Sequence, residues 1–215
     1  MMKIKNPVDT ENIKLQEKNI SIAEVSKPQV IFSDQIVQGS DDAADMGFLY
    51  GTFDYTATTY YLAYGGAVNP DISGWRFQNV NVPKNATIVS ALFTLSTWAL
   101  SSGSKRSRCW GVAVDNLTVW SSPANRPKNA TKTTAYADMN VLGDADIPNG
   151  TYVPRSFAVT AIIQEIVNRS GWVAGNSLGF VCRDNSSTFT ARLIAHTYED
   201  KDNYPQGILT IVYTV

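Results

Sequence analysis

Short acidic clusters are the part of the sequence whose side chains could bind a metal ion. Asp41, Asp42 and Asp45 stand within one short stretch, and Asp144 and Asp146 form a second cluster. Ca²⁺ binds several oxygen ligands, which carboxylates crowded into a loop can supply. The cluster at residues 41–45 is therefore a candidate calcium site. Neither cluster has the full register of a calcium-binding loop, so solvated turn residues are the alternative, and no other cofactor is indicated.

Aromatic side chains are the richest chemical feature, with 5 Trp and 10 Tyr in the chain. Exposed Trp and Tyr rings serve sugar binders as flat apolar platforms with a polar edge. The candidate carbohydrate-binding residues are Tyr50, Tyr60, Tyr61, Tyr64 and Trp120. The alternative is that aromatic rings fill the core, which is the interpretation we favour for Trp75, Trp98 and Trp172.

Residues for nucleophilic or metal-assisted catalysis are scarce. The only histidine, His196, falls on the polar side of a predicted strand, and nucleophilic catalysis usually needs a histidine beside Ser or Cys. Cys109 and Cys182 lie in apolar, strand-like runs and are predicted to be reduced core residues, with one disulfide as the alternative. These residues cannot form the usual four-ligand zinc site. We therefore predict that the chain is not an enzyme.

The charge pattern excludes two classes of partner. The formal net charge is −1, and the densest basic cluster is Lys105, Arg106 and Arg108, which reads as a solvated hairpin. Because nucleic-acid binding requires more extensive clustering of cations, none is predicted. No stretch approaches the roughly 20 apolar residues of a membrane span, so no membrane insertion is predicted. No apolar run follows the N-terminal charges as in a signal peptide, so synthesis in a host cytoplasm is expected.

Residues 1–31 differ in composition from the rest of the chain and are predicted to form an extended N-terminal arm. They contain no Gly and no aromatic residue, and charges of both signs are interspersed along them. Such a segment cannot bury enough apolar surface to fold alone. It is either a frayed terminus or an arm that orders against a partner. The residues expected to contact that partner are Ile4, Val8, Ile13, Leu15, Ile20 and Ile22.

The pattern from residue 32 onward predicts an all-β domain over residues 32–215. Turn signals recur about every ten residues between runs of β-branched and aromatic residues, which is typical of many short strands. Val89, Ala91, Phe93 and Leu95 are predicted to face one way, and Ser90, Thr94 and Ser96 the other, which indicates a half-buried antiparallel strand. Residues 189–196 alternate in the same way, and residues 208–215 read as a closing strand. We therefore predict an antiparallel β-sandwich.

One short segment has helical periodicity instead. Ile162, Ile163, Ile166 and Val167 form an apolar stripe at helical spacing. The pattern predicts a helix over residues 161–168 that closes one end of the sandwich, with Thr160 as its N-cap.

Several of these segments resemble the DNRLRE-type jelly-roll modules. Residues 74–91 read GWRFQNVNVPKNATIVSA, residues 157–172 read FAVTAIIQEIVNRSGW, and residues 175–180 and 208–213 read GNSLGF and ILTIVY. They are similar to that family's Arg-Phe strand and Pro turn, its helix, and its later strands, in the same order. The resemblance implies a jelly roll over about residues 45–215. Ala158 replaces the aspartate that the family carries before its helix, which weakens the transfer of a sugar site.

Members of that family occur as carbohydrate-binding modules, as surface or adhesin segments, and in phage virions. We predict a non-catalytic phage virion protein, either a capsid decoration or a tail or fibre component. The arm would bind other virion proteins, the protein would form a homo-oligomer, and its loop aromatics would contact host glycans. The alternative function is that of a carbohydrate-binding module or adhesin domain. A glycoside hydrolase is the third candidate function, because the separation of its two catalytic carboxylates is set by the fold and leaves no local signature in the sequence.

Overall fold

The structure is a computed structural model, and it describes residues 27–47, 52–67, 71–121, 124–142 and 153–215. These residues form one α-helix, α1 (Thr160–Val167), and a series of strands numbered along the chain. The strands are β1 Val30–Gln35, β2 Asp42–Met46, β3 Thr52–Asp54, β4 Thr59–Tyr64, β5 Ile72–Phe77, β6 Thr87–Leu100, β7 Lys105–Val112, β8 Lys132–Val141, β9 Val153–Ala158, β10 Leu178–Asp184, β11 Arg192–His196 and β12 Ile208–Thr214. The predicted partner residues of the arm, Ile4 to Ile22, lie outside the described residues.

The strands form two antiparallel sheets, which confirms the predicted jelly-roll β-sandwich. The first sheet has the order β1-β12-β6-β11-β4, and β9 pairs with the other edge of β6. The second sheet has the order β3-β2-β5-β10-β7-β8. The closing strand β12 lies between β1 and β6, as the apolar run at the C-terminus predicts. Strand β1 begins at Val30, two residues before the start of the predicted domain.

The core between the sheets is built around a cluster of aromatic rings. Phe93 on β6 stacks on Phe180 of β10, with ring centroids 4.8 Å apart. Trp75 and Phe77 of β5 contact the same Phe93 ring at 5.6 and 5.7 Å. Offset and edge-to-face packing of this kind adds stability beyond the burial of apolar area. One phenylalanine on the longest strand therefore joins the two sheets, and the predicted core role of Trp75 is confirmed.

The predicted alternation of β6 holds except at its beginning. Ala91, Phe93 and Leu95 are buried in the core, but Val89 is exposed and its neighbour Ile88 is buried instead. The pairing of β6 with β12 shifts register here, where Tyr213 lies opposite Ile88 and Val212 opposite Ser90. A bulge adds one residue to a strand and reverses the facing of the residues before it. The predicted inward orientation of Val89 is therefore wrong.

Helix α1 confirms the predicted apolar stripe, because Ile162, Ile163, Ile166 and Val167 are all buried. It starts one residue earlier than predicted, and Val159 occupies the N-cap position. Thr160 does not cap the helix, because its Oγ1 accepts a hydrogen bond from the backbone N–H of Ala91 on β6 (3.0 Å). Gly111 of β7 leaves the space into which Ile162 and Ile166 pack. The helix thus closes the gap between the two sheets.

Cys109 and Cys182 are free thiols buried in the core, directly opposite each other on β7 and β10. This confirms the predicted reduced core residues. Burial, together with a hydrogen bond to Cys109, raises the pKa of the Cys182 thiol well above its ordinary value. No helix among the described residues is long and apolar enough to span a membrane.

Candidate functional site

The acidic cluster predicted as a calcium site holds separate parts of the chain together. Asp41 forms an ion pair with Arg76 of β5 and accepts a hydrogen bond from the amide of Gln78 (2.7 Å). Asp45 pairs with Arg126 and accepts the backbone N–H of Lys128 (2.7 Å). The described residues contain no group of three or more His, Cys, Asp or Glu that could hold a metal ion. Both outward-facing aspartates are therefore structural anchors here.

Asp42, the third member of this cluster, has a different environment. Its side chain is buried and accepts the backbone N–H of Tyr198 through Oδ2 (2.8 Å), but Oδ1 has no hydrogen-bond partner among the described residues. Burial raises the pKa of Asp42 well above its ordinary value, and the negative charges of Glu199 and Asp41 raise it further. Burial also raises the pKa of Glu199. In the protein without a bound cation, burial thus favours the neutral form of both carboxyl groups.

The cluster's anchors hold the described parts of a long loop, residues 113–121 and 124–131, against the outer face of the second sheet. Trp120 lies on Gly74, where a Cβ atom would come within 2.8 Å of the indole. Leu117 packs on Gly179 of β10 in the same way. Trp120 is only 2% exposed, so the prediction that it offers a ring to solvent is wrong. We call the part of the outer face under this loop the covered half; its buried apolar residues are Ala43, Val112, Leu117, Trp120 and Val181.

The predicted tyrosine platform is only partly assembled. Tyr60 is 2% exposed and donates its hydroxyl to the backbone oxygen of Asp54 (3.1 Å), so it cannot stack on a ligand. Burial raises the pKa of this hydroxyl. Tyr61 and Tyr64 are half-buried neighbours with ring centroids 5.2 Å apart, and Arg192 lies over the Tyr64 ring at 4.5 Å. Tyr50 lies outside the described residues.

The rest of the second sheet's outer face carries an exposed group of charged and aromatic side chains. Register places Arg183 of β10, Arg108 of β7 and Asp138 of β8 in one row across the sheet. Trp110 and Tyr136 are opposite each other in the next row. We call this surface the open face and define it by Arg106, Arg108, Trp110, Lys132, Tyr136, Asp138, Asn140 and Arg183.

Tyr136 is the most accessible ring of the open face, with 52% of its surface exposed. The Arg108 guanidinium lies 3.9 Å from the centre of its ring and forms two parallel hydrogen bonds with Asp138, each 2.7 Å long. This contact with Asp138 raises the pKa of Arg108. Bidentate pairs of this type fix the geometry of a guanidinium. The ring is therefore held in place by Arg108, while more than half of the side chain faces solvent.

Trp110 is half-buried and surrounded by cations. The Lys132 ammonium lies 4.7 Å from the indole centroid, and the guanidinium carbons of Arg183 and Arg108 lie 5.6 and 6.0 Å away. Burial lowers the pKa of Lys132, and the nearby charge of Arg183 lowers it further. Two rows away from Trp110, Arg106 and Asn140 line a shallow groove of about 410 Å³.

The open face is not among the sites predicted from the sequence, although its signal is present there. Arg106, Arg108 and Trp110 alternate with buried residues on β7, and Tyr136 and Asp138 do so on β8. The basic cluster was predicted to be a solvated hairpin, but Lys105 is fully buried, whereas Arg106 is exposed. What the sequence does not show is that β7 and β8 are neighbours in the part of the sheet that the loop leaves open.

His196 lies in a second polar region and is buried, which corrects its predicted place on a solvated face. Its Nδ1 atom is 2.7 Å from a carboxylate oxygen of Asp200, and its ring stacks on Tyr204 at 3.8 Å. Burial lowers its pKa, and the hydrogen bond with Asp200 opposes that effect. Asp200 and Tyr204, which follow β11 in the chain, thus hold the imidazole from two sides, and His196 is a structural residue.

No model of a known protein family matches the chain, and no curated protein matches it in sequence. The resemblance to DNRLRE-type modules therefore stays a prediction. Among solved structures, the chain is similar to the crystal structure of CBM28, a carbohydrate-binding module specific for non-crystalline cellulose. The TM-score is 0.35 at 10% identity, over 69% of this chain and 72% of that one.

A second similarity is to the structure of infectious bursal disease virus, Gt strain. It has a TM-score of 0.19 at 13% identity and covers 87% of this chain but only 35% of the viral chain. Both similarities are too distant to identify a function. A function for this chain has to be inferred from the geometry of the open face instead.

Proposed function

We propose that this chain is a non-catalytic carbohydrate-binding β-sandwich that holds its ligand on the open face. The observation that carries the proposal is the exposed Tyr136 ring, fixed by Arg108 and bordered by the polar side chains of Asp138 and Asn140. A sugar ring presents apolar C–H groups to an aromatic face and hydroxyl groups at its edge, so it needs this combination. The site lies on strands, which are rigid enough to keep the groups in register.

A glycan array probed with the purified protein tests this function. We expect binding to at least one oligosaccharide class, and the Tyr136→Ala variant should lose about tenfold or more in affinity, which is about 1.4 kcal/mol. Tyr55→Ala is the matched control, because Tyr55 is a similarly exposed tyrosine next to β3, at the opposite edge of the same sheet. Equal loss in both variants, or binding that survives both, would exclude the open face as the site.

A second candidate role, as a structural protein of a phage virion, is favoured by a different surface. The outer face of the first sheet exposes apolar side chains near β1, among them Ile31 (69% exposed), Val89 and Leu92. Contiguous exposed apolar surface commonly marks a protein interface. We infer that a neighbouring virion protein, or a second copy in a homo-oligomer, covers it together with residues 1–26 of the arm.

Mass spectrometry of purified particles tests the virion role, since the chain must be present in them. Deleting residues 1–26 should abolish incorporation and leave the melting temperature nearly unchanged. A particle that lacks the chain refutes this role and leaves the carbohydrate-binding function untouched.

A further inference from the structure

The cations of the open face lack matching carboxylates. Arg108 is the one with an acidic partner, Asp138. Among the described residues, no carboxylate pairs with Lys132 or Arg183, although both lie beside the same indole. The neighbouring Asp184 carboxylate instead accepts backbone N–H groups, including those of Tyr64 and Ser186. The two cations at Trp110 therefore form a local surplus of positive charge with no carboxylate partner among the described residues.

This surplus continues along β7. Arg106 is exposed, stands opposite Asn140, and lines the groove at the end of the face. Among the described residues, the open face thus carries four cations and one carboxylate, in a chain whose formal net charge is −1. A cluster of like charges costs free energy in the unbound protein, and an anion that binds there recovers it. The surplus is local, so it indicates the chemistry of the ligand rather than a property of the whole surface.

We propose that the open face binds an acidic polysaccharide, whose carboxylates contact Lys132 and Arg183 while a sugar ring packs on Tyr136. This inference rests on the proposed carbohydrate-binding function and specifies its ligand class. A guanidinium and a carboxylate form strong, charge-assisted hydrogen bonds. The half-buried position of Lys132 strengthens its attraction for an anion, since nearby protein excludes part of the screening water.

A nucleic acid would offer anions too, but the geometry favours a polysaccharide. Binding to a phosphate backbone depends on many cations that follow a strand over several nucleotides. Here the cations surround one indole and continue only to Arg106. A polysaccharide with one charge per sugar unit and an apolar ring face between successive charges fits the open face better. Its charges can contact Lys132 and Arg183 while a ring face packs on Tyr136.

Matched polysaccharides separate the charge from the sugar. Polygalacturonate and its fully methyl-esterified form share one backbone, and only the first is anionic; alginate and hyaluronan extend the acidic set, with neutral mannan and dextran as counterparts. We expect at least one acidic polymer to bind about tenfold or more tightly than its neutral counterpart. The affinity for it should fall as salt rises from 50 to 300 mM, because the contacting charges are partly exposed.

Variants tie this preference to the two cations. Lys132→Gln and Arg183→Gln should each reduce binding of the acidic polymer about tenfold and reduce binding of its neutral counterpart by a clearly smaller factor. Lys201→Gln is the matched control, since Lys201 also lies over an aromatic ring, that of Tyr198, but in another part of the surface. The melting temperatures of all three variants should stay close to that of the wild type.

The outcomes distinguish this inference from the function on which it rests. Equal binding of acidic and neutral polymers would overturn the acidic ligand class and keep the carbohydrate-binding function. No binding to any polysaccharide or glycan would refute both. Binding of a single-stranded DNA oligonucleotide as tight as that of the best acidic polymer, at the same ionic strength, would replace the polysaccharide with a nucleic acid and overturn the proposal.

Discussion

The two halves of the second sheet's outer face use the same residue types for different purposes. In the covered half, Trp120 fills the space above Gly74, and Asp45 neutralises Arg126. In the open face, Tyr136 stays exposed, and Arg183 has no carboxylate partner among the described residues. The difference lies in what each side chain meets, because one loop crosses the first half and ends before the second. An aromatic or acidic residue is thus a candidate ligand contact only where the fold leaves it accessible.

The largest expected effect is the loss of stability on truncating Trp120, the side chain that fills the space between the loop and the covered half. Trp120→Ala should lower the free energy of unfolding by about 3–5 kcal/mol, since it leaves a cavity between the loop and the sheet. Chemical denaturation monitored by fluorescence or circular dichroism measures this loss.

Trp110→Ala is the control for that substitution, because Trp110 lies half-buried on the open face. Its loss of stability should be clearly smaller. If the two substitutions cost the same, the loop does not seal the covered half more tightly than the open face, and the contrast between them fails.

A smaller effect follows from weakening one anchor of the loop. Asp45→Asn should cost about 1.5–3 kcal/mol, as expected for hydrogen bonds to charged groups with little solvent access. Asp138→Asn, which breaks the solvent-exposed pair with Arg108, should cost much less. Urea denaturation of both variants gives the comparison directly.

The alternative role of Asp45, as a ligand of Ca²⁺, can be tested on the wild-type protein. If Asp45 serves only as an anchor, adding millimolar Ca²⁺ or a chelator leaves the melting temperature unchanged. A rise with Ca²⁺ that disappears in Asp45→Asn would instead restore the metal site predicted from the sequence.

Asp45 is ion-paired, whereas Asp42 is buried beside other acidic groups, and this difference predicts how the stability of the protein depends on pH. The folded-state pKa of Asp42 lies above its unfolded value, which is about 3.9. Its contribution to stability is therefore complete below the unfolded pKa and lost as the pH rises through the folded one. Asp42→Asn stays neutral, so its stability relative to the wild type should rise from pH 4 to pH 8.

Denaturant titrations of wild type and Asp42→Asn at pH 4, 6 and 8 measure this trend. Asp202→Asn is the control, since the Asp202 side chain is 88% exposed and should show no such trend. A constant difference between wild type and Asp42→Asn would mean that Asp42 is charged in the folded protein.

The sequence predicts the architecture well and the site poorly, for one physical reason. Strand alternation and the helical stripe at Ile162–Val167 depend on neighbours within a few residues, so periodicity reveals them. The roles of Asp41 and Trp120 depend on Arg76 and Gly74, which lie far away in the chain. Val89 shows the intermediate case, since a bulge reverses a local pattern without leaving a local signal.

The smallest expected effect, and the one that separates the two halves most cleanly, is on the stability of Arg183→Gln. Arg183 is exposed on β10, and Lys132, which lies over the same indole, has a charge of the same sign. Removing its charge relieves that repulsion and costs only its weak contact with Trp110. The free energy of unfolding should therefore change by no more than about 0.5 kcal/mol in either direction. The pKa of Lys132 should rise towards its ordinary value, which NMR titration of the lysine side chains can follow. A loss of stability comparable to that of Asp45→Asn would place Arg183 among the anchors of the fold rather than among the groups free to bind a ligand.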